Sequence, residues 1–128
     1  MNENELTGLL ESLRRMGSDD LSVEVKESAT TLSRDVWETV SAFANTAGGI
    51  IVLGVSERAG FVPVANFEIE KVLNQFVAGM GDAGGRGKLA NPPKYTIERV
   101  ELQGTVVLVI TIEELDPSSK PCYVIERG

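Results

Sequence analysis

A chain of 128 residues, 42% hydrophobic and 24% charged, is long enough for one domain with a core of its own and too short for two. It has no histidine and one cysteine, Cys122, which excludes His-based triads, His–Cys zinc sites and an internal disulfide. The formal net charge of −7 argues against a broad phosphate-binding surface, and no apolar run approaches the roughly 20 residues of a membrane helix.

Residues 1–17 read as an amphipathic helix with the stripe Leu6, Leu9, Leu10 and Leu13, stopped by Gly17; residues 18–128 form the body of the same unit. The start, MNENELTGLL, is acidic where a secretory signal is basic. With one cysteine, this gives a cytoplasmic expectation. After the polar break Ser18-Asp19-Asp20, Leu21–Glu27 alternates, with Val23 and Val25 on one face and Ser22, Glu24 and Lys26 on the other. That pattern predicts a half-buried strand. A second helix starts near Ser33 as N-cap and carries Val36, Val40, Phe43 and Ala47, with Trp37 beside the stripe. Gly48 stands where the helix needs a left-handed residue to stop, and Ile50–Leu53 follows as a strand covered on both faces.

Ser56–Gly60 is a turn and Phe61–Val64 a short returning strand. Asn66 is expected to cap a third helix with the stripe Ile69, Val72, Leu73, Phe76, Val77 and Met80. Gly81–Lys94 is the longest irregular stretch, expected to be the most mobile and the main basic patch. It lies in the only net-positive quarter: residues 65–94 hold Lys71, Arg86, Lys88 and Lys94 against Glu68, Glu70 and Asp82. Tyr95–Gln103 and Thr105–Ile112 pair as a hairpin around Gln103-Gly104, and Cys122–Glu126 is a last strand. The order α-β-α-β-β-α-β-β-β implies an α+β domain with a mixed sheet. Val36, Val40, Phe43, Ile51, Leu53, Val72, Phe76, Val107 and Val109 are expected to form one contiguous core.

Glu24-Val25-Lys26, Ala42-Phe43-Ala44-Asn45-Thr46-x-Gly48-Gly49, Gly54-Val55 and Pro121-Cys122-Tyr123 together resemble the Schlafen-type AlbA domain over roughly residues 18–125. Its members have also been described as divergent ATPase-like domains. The resemblance implies a DNA-binding module, often joined to a winged helix in bacterial transcriptional regulators. In the animal Schlafen branch it implies a nuclease site of three carboxylates. This chain has Val25 where the family has Phe, and Ser56-Glu57 where an Asp-Asp pair is common. The family closes with a further strand bearing Arg-x-Gly; here the chain stops at Arg127-Gly128, as expected of a domain excised from a longer protein.

Each candidate site has two readings. Lys26 is a phosphate contact or half of a solvated ion pair with Glu24. Asp19, Glu24 and Glu57 are either solvated acids or, as the nuclease branch implies, ligands for magnesium or manganese that also act in catalysis. No cofactor is expected outside that alternative. Asn45, Gly48 and Gly49 either touch a ligand or allow close helix–strand packing. Arg86, Lys88 and Lys94 either close on a phosphate backbone, DNA or RNA, or ride on a connector.

Two motif matches fail. Gly79–Gly84 fits G-x-G-x-x-G but follows a helix, whereas the dinucleotide fingerprint follows a strand. Gly87-Lys88 lacks both the first P-loop glycine, replaced by Asp82, and the Ser or Thr, replaced by Leu89. Cys122 has no histidine to activate it and reads as a core residue. A third class, a protein-interaction domain, would use Leu6, Leu9 and Leu13 or a sheet edge to form a homo-oligomer.

Overall fold

The computed structural model describes residues 1–16 and 22–125. In chain order it contains α1 (Glu3–Met16), β1 (Val23–Lys26), α2 (Val36–Asn45), β2 (Gly49–Leu53), β3 (Val55–Ser56), β4 (Val62–Pro63), α3 (Ile69–Gly79), β5 (Leu89–Ala90), β6 (Tyr95–Leu102), β7 (Thr105–Ile112) and β8 (Tyr123–Val124). The expected helix stop at Gly17, the break containing Asp19, and the chain end Glu126–Gly128 lie outside the described residues.

Four strands form the main sheet in the order β1-β2-β7-β6. β1 runs parallel to β2, as a crossover through α2 requires, and the other pairs are antiparallel. This is the mixed sheet of an α+β domain. The β6–β7 hairpin turns in two residues, Gln103 (φ 51°) and Gly104 (φ 77°). Positive φ at both positions matches the right-handed twist of the strands, and glycine adopts it without a Cβ penalty.

Successive side chains of a strand point to opposite faces, and here both faces are covered. Ile51, Leu53, Leu108, Ile110 and Ile112 pack against Val36, Trp37, Val40, Phe43, Val72 and Phe76 of α2 and α3. Val52, Val107 and Val109 pack with Leu6, Leu10 and Leu13 of α1, alongside Val100 and Leu102 of β6. The expectation of one contiguous core is therefore corrected. Val107 and Val109 belong to a second cluster, because β7 alternates between two covered faces. The leucines of α1 are consumed in the same way: Leu6 and Leu13 are buried against the sheet. Leu9 is half-buried against the same cluster. α1 begins with a reciprocal cap, Asn2 N–H to Glu5 Oε1 (3.1 Å) and Glu5 N–H to Asn2 Oδ1 (2.8 Å).

Both other helix starts fall later in the chain than expected. α2 begins at Val36, after Asp35, and Ser33 gives its carbonyl to the Val36 N–H (3.2 Å). The Ser33 hydroxyl is bonded to Ser28 Oγ at 2.9 Å. Asn66 takes a left-handed turn (φ 57°) and α3 starts three residues on, at Ile69. The Gly81–Lys94 stretch contains a strand, β5, paired with β8 as a small flap beside α2.

Candidate functional site

The Gly48-Gly49 joint is packed solid. Gly48 (φ +77°) donates its N–H to the Phe43 carbonyl at 2.8 Å, and a Cβ there would lie 2.7 Å from the Ile112 carbonyl oxygen. A Cβ on Gly49 would lie 2.6 Å from the Phe43 ring. Both glycines let the helix end close on the sheet. Asn45 uses both ends of its amide on one residue. Its Nδ2 donates to the Cys122 carbonyl (2.8 Å) and its Oδ1 accepts the Cys122 N–H (2.7 Å). The side chain thus stands in for a strand partner and fastens the flap to α2. Burial raises the Cys122 thiol pKa, against the opposing hydrogen bond with Ser41 Oγ (3.6 Å), which suits a core residue.

Lys26 and Glu24 face the α2–α3 side at the open edge of the sheet. The Lys26 side chain is only 9% exposed, and its Nζ lies 3.1 Å from Asp35 Oδ1 and 3.8 Å from Glu24 Oε1. Asp35 therefore spends its carboxylate on Lys26 and makes no cap bond to α2. Glu57 is exposed in the turn after β3. Its neighbourhood is organised by Glu27, which accepts from Ser56 Oγ (3.0 Å) and Arg58 Nε (3.2 Å) and is held below its usual pKa by those bonds. No three metal-ligating side chains converge among the described residues, and Asp19 lies outside them.

The basic residues divide between two places. Lys94 borders a hollow with Asp82, Tyr95 and Glu113, and a neighbouring one with Glu114 and Asp116. There Tyr95 donates to Asp82 Oδ2 (2.8 Å), and burial together with that bond pushes its pKa up to about 12. Arg86 and Lys88 instead open onto a groove of about 580 Å³ shared with Leu32, Arg34, Trp37, Gln75, Ala78, Gly79, Val124 and Ile125.

Local geometry builds this groove. A Cβ on Gly87 would lie 2.8 Å from the Gly79 carbonyl oxygen, so only glycine lets the loop close on the end of α3. Lys88 is then fixed on both sides, its N–H to Gly79 O (2.6 Å) and its carbonyl to Ile125 N–H (2.8 Å). Opposite, Gln75 of α3 accepts the Leu32 N–H (2.8 Å) and bonds Thr31 Oγ1, which holds the segment carrying Arg34. The Trp37 indole borders the groove but is itself only 8% exposed. It stacks on Phe76 (5.4 Å, 22°) and lies so close to Gly79 that a Cβ there would be 2.0 Å from its ring.

Among the described residues no carboxylate lines the groove, and Arg34, Arg86 and Lys88 make no ion pair there. In a chain with 19 acids and 12 Lys and Arg, three cations without a counter-charge among the described residues concentrate positive potential in one place. Arg34 was not among the sequence candidates. Its only signal was its spacing, three residues before Trp37 at the start of α2.

A family model described as "Schlafen, AlbA_2" matches residues 19–125. The chain belongs to this Schlafen AlbA_2 family. A solved relative is the N-terminal domain of a Nitrosomonas europaea protein named for its relation to the ATP-dependent DNA helicase RecG. It is 26% identical with a TM-score of 0.71, over 95% of this chain and 81% of that one. The family match begins after α1, yet coverage that high takes in most of α1 as well. The DIP2311 protein of Corynebacterium diphtheriae matches with a TM-score of 0.44 and 16% identity, over 94% of this chain and 24% of its own. No curated protein matches the chain.

Proposed function

We propose that this AlbA_2 domain is a nucleic-acid-binding module, of the kind found in bacterial DNA-associated regulators. Its phosphate contacts come from Arg34, Arg86 and Lys88. The observation that carries the reading is a groove that, among the described residues, has three cations and neither a lining carboxylate nor an ion pair, in a chain of net charge −7. Family membership and a structural relative named for a DNA helicase support it. We assign Lys26, Asn45, Gly48 and Gly49 to the frame that holds the groove, since their polar groups are engaged within the protein. Lys94 adds little to binding in this reading, because acids flank it.

The test is an anisotropy titration with labelled DNA and RNA at about 50 and 200 mM salt, with and without manganese. Three phosphate contacts predict a shallow salt slope, about −2 to −3. Arg86→Ala with Lys88→Ala, and separately Arg34→Ala, should weaken binding to all sequences alike, because phosphate contacts carry no sequence information. Absence of binding at the lower salt would refute the proposal. Manganese-dependent cleavage that disappears in Glu24→Gln would replace it with the nuclease reading built on Asp19, Glu24 and Glu57.

A further inference from the structure

The groove is not lined by cations alone. Leu32, Ala78, Val124 and the 8% of Trp37 that stays exposed add apolar surface beside Arg34, Arg86 and Lys88. Val124 is 37% exposed, one of the few large hydrophobic residues left open among those described. Its position is held by the Asn45 clasp on Cys122 and by the pairing of β8 with β5. The groove, of about 580 Å³, lies open to solvent along its length.

A duplex presents phosphates and sugars outward and keeps its base faces stacked inside. It could meet the three cations, but it has nothing to lay against the apolar surface. An unpaired nucleotide offers both a charged phosphate and an apolar base face, and single-strand binders use both. We infer that the groove takes single-stranded nucleic acid, seating one unpaired base against Val124 and the small exposed part of Trp37 while Arg34, Arg86 and Lys88 hold the flanking phosphates. This deepens the nucleic-acid reading above and rests on it.

Trp37 is the only tryptophan of the chain and borders the groove, so its emission reports events there. The experiment compares an oligodeoxythymidylate of about twelve nucleotides with a blunt duplex of equal phosphate count, at about 50 mM salt. The single strand should bind about fivefold or more tighter. Unlabelled, it should quench Trp37 with the same midpoint as the anisotropy curve. Val124→Ser, on an exposed side chain and without change of charge, should lower single-strand affinity by about threefold or more and leave duplex affinity unchanged. Equal affinities with unchanged Trp37 emission would overturn the inference while leaving the phosphate-binding function intact. Binding of neither probe would remove both. Displacement of the strand by thymidine monophosphate at equal nucleotide concentration would also overturn it, because the groove would then be a mononucleotide pocket.

Discussion

The two faces of the sheet are closed by different means. On one, a single helix lays Leu6, Leu10 and Leu13 over a bed of valines, with Phe61 as the only aromatic residue. On the other, two helices and the β5–β8 flap share the cover. Flat rings run through it, Trp37 on Phe76 (stacked, 5.4 Å) and Phe76 on Tyr95 (edge-on, 5.4 Å). Branched aliphatic side chains interdigitate and fill the space between helix and sheet. Three separate covering pieces have boundaries, and the groove lies where those boundaries meet, at the edge of Trp37. The comparison teaches that the closed face supplies stability alone, whereas the divided face supplies stability and an opening to solvent.

The largest effects should come from emptying either face. Phe43→Ala on the divided face should cost about 3–5 kcal/mol and Leu10→Ala on the closed face about 2–5 kcal/mol, read by denaturant unfolding. Both should shift one cooperative transition, since β7 contributes to both clusters. A separate transition for Leu10→Ala would break the comparison by making α1 a detachable cover. Gly79→Ala places a methyl 2.0 Å from the Trp37 ring. It should cost about 1–3 kcal/mol and shift Trp37 emission, with no counterpart on the closed face.

Asn45→Ala should cost a similar 1–3 kcal/mol by leaving the Cys122 backbone groups without partners. It should also speed thiol labelling of Cys122, which tells a loosened flap from a general loss of stability. Removing Arg86 and Lys88 should change stability by no more than about 0.5 kcal/mol while weakening binding, which separates the groove from the packing beneath it. The last effect is alkaline. Tyr95 keeps its proton in the fold up to about 12, against 10.0 for a free phenol. Its contribution is complete below pH 10 and is lost as pH rises through about 12, so stability should fall across that window. Tyr95→Phe should flatten the fall.

Periodicity made the elements legible. The leucine stripe of α1, the alternation of Val23 and Val25, and the turn at Gln103-Gly104 all carry a repeat or a residue type that local chemistry demands. The family was legible in the Asn45–Gly49 segment. What escaped depended on contacts between distant residues. Val107 and Val109 could not be assigned to a face, because an unbroken apolar strand has no polar side to orient it. Asp35 gave no sign that its carboxylate would leave the cap position for Lys26. The two residues of β5 are too short for any periodic signal, and they exist because Cys122–Ile125 lies beside them. Arg34 joined Arg86 and Lys88 only through Gln75 and the fold of the loop. One signal was local and overlooked: Asn2-x-x-Glu5 is a capping box.

The central position of β7 has a consequence for the order in which the protein can form. Val107 and Val109 complete one cluster, and Leu108, Ile110 and Ile112 the other. A ribosome releases α1, β1, α2, β2 and α3 before it has made this strand. At about 5–20 residues per second, the apolar sides of those elements wait several seconds for the partner they share. Neither cluster can close on a nascent chain until β7 emerges, and then both close together around it.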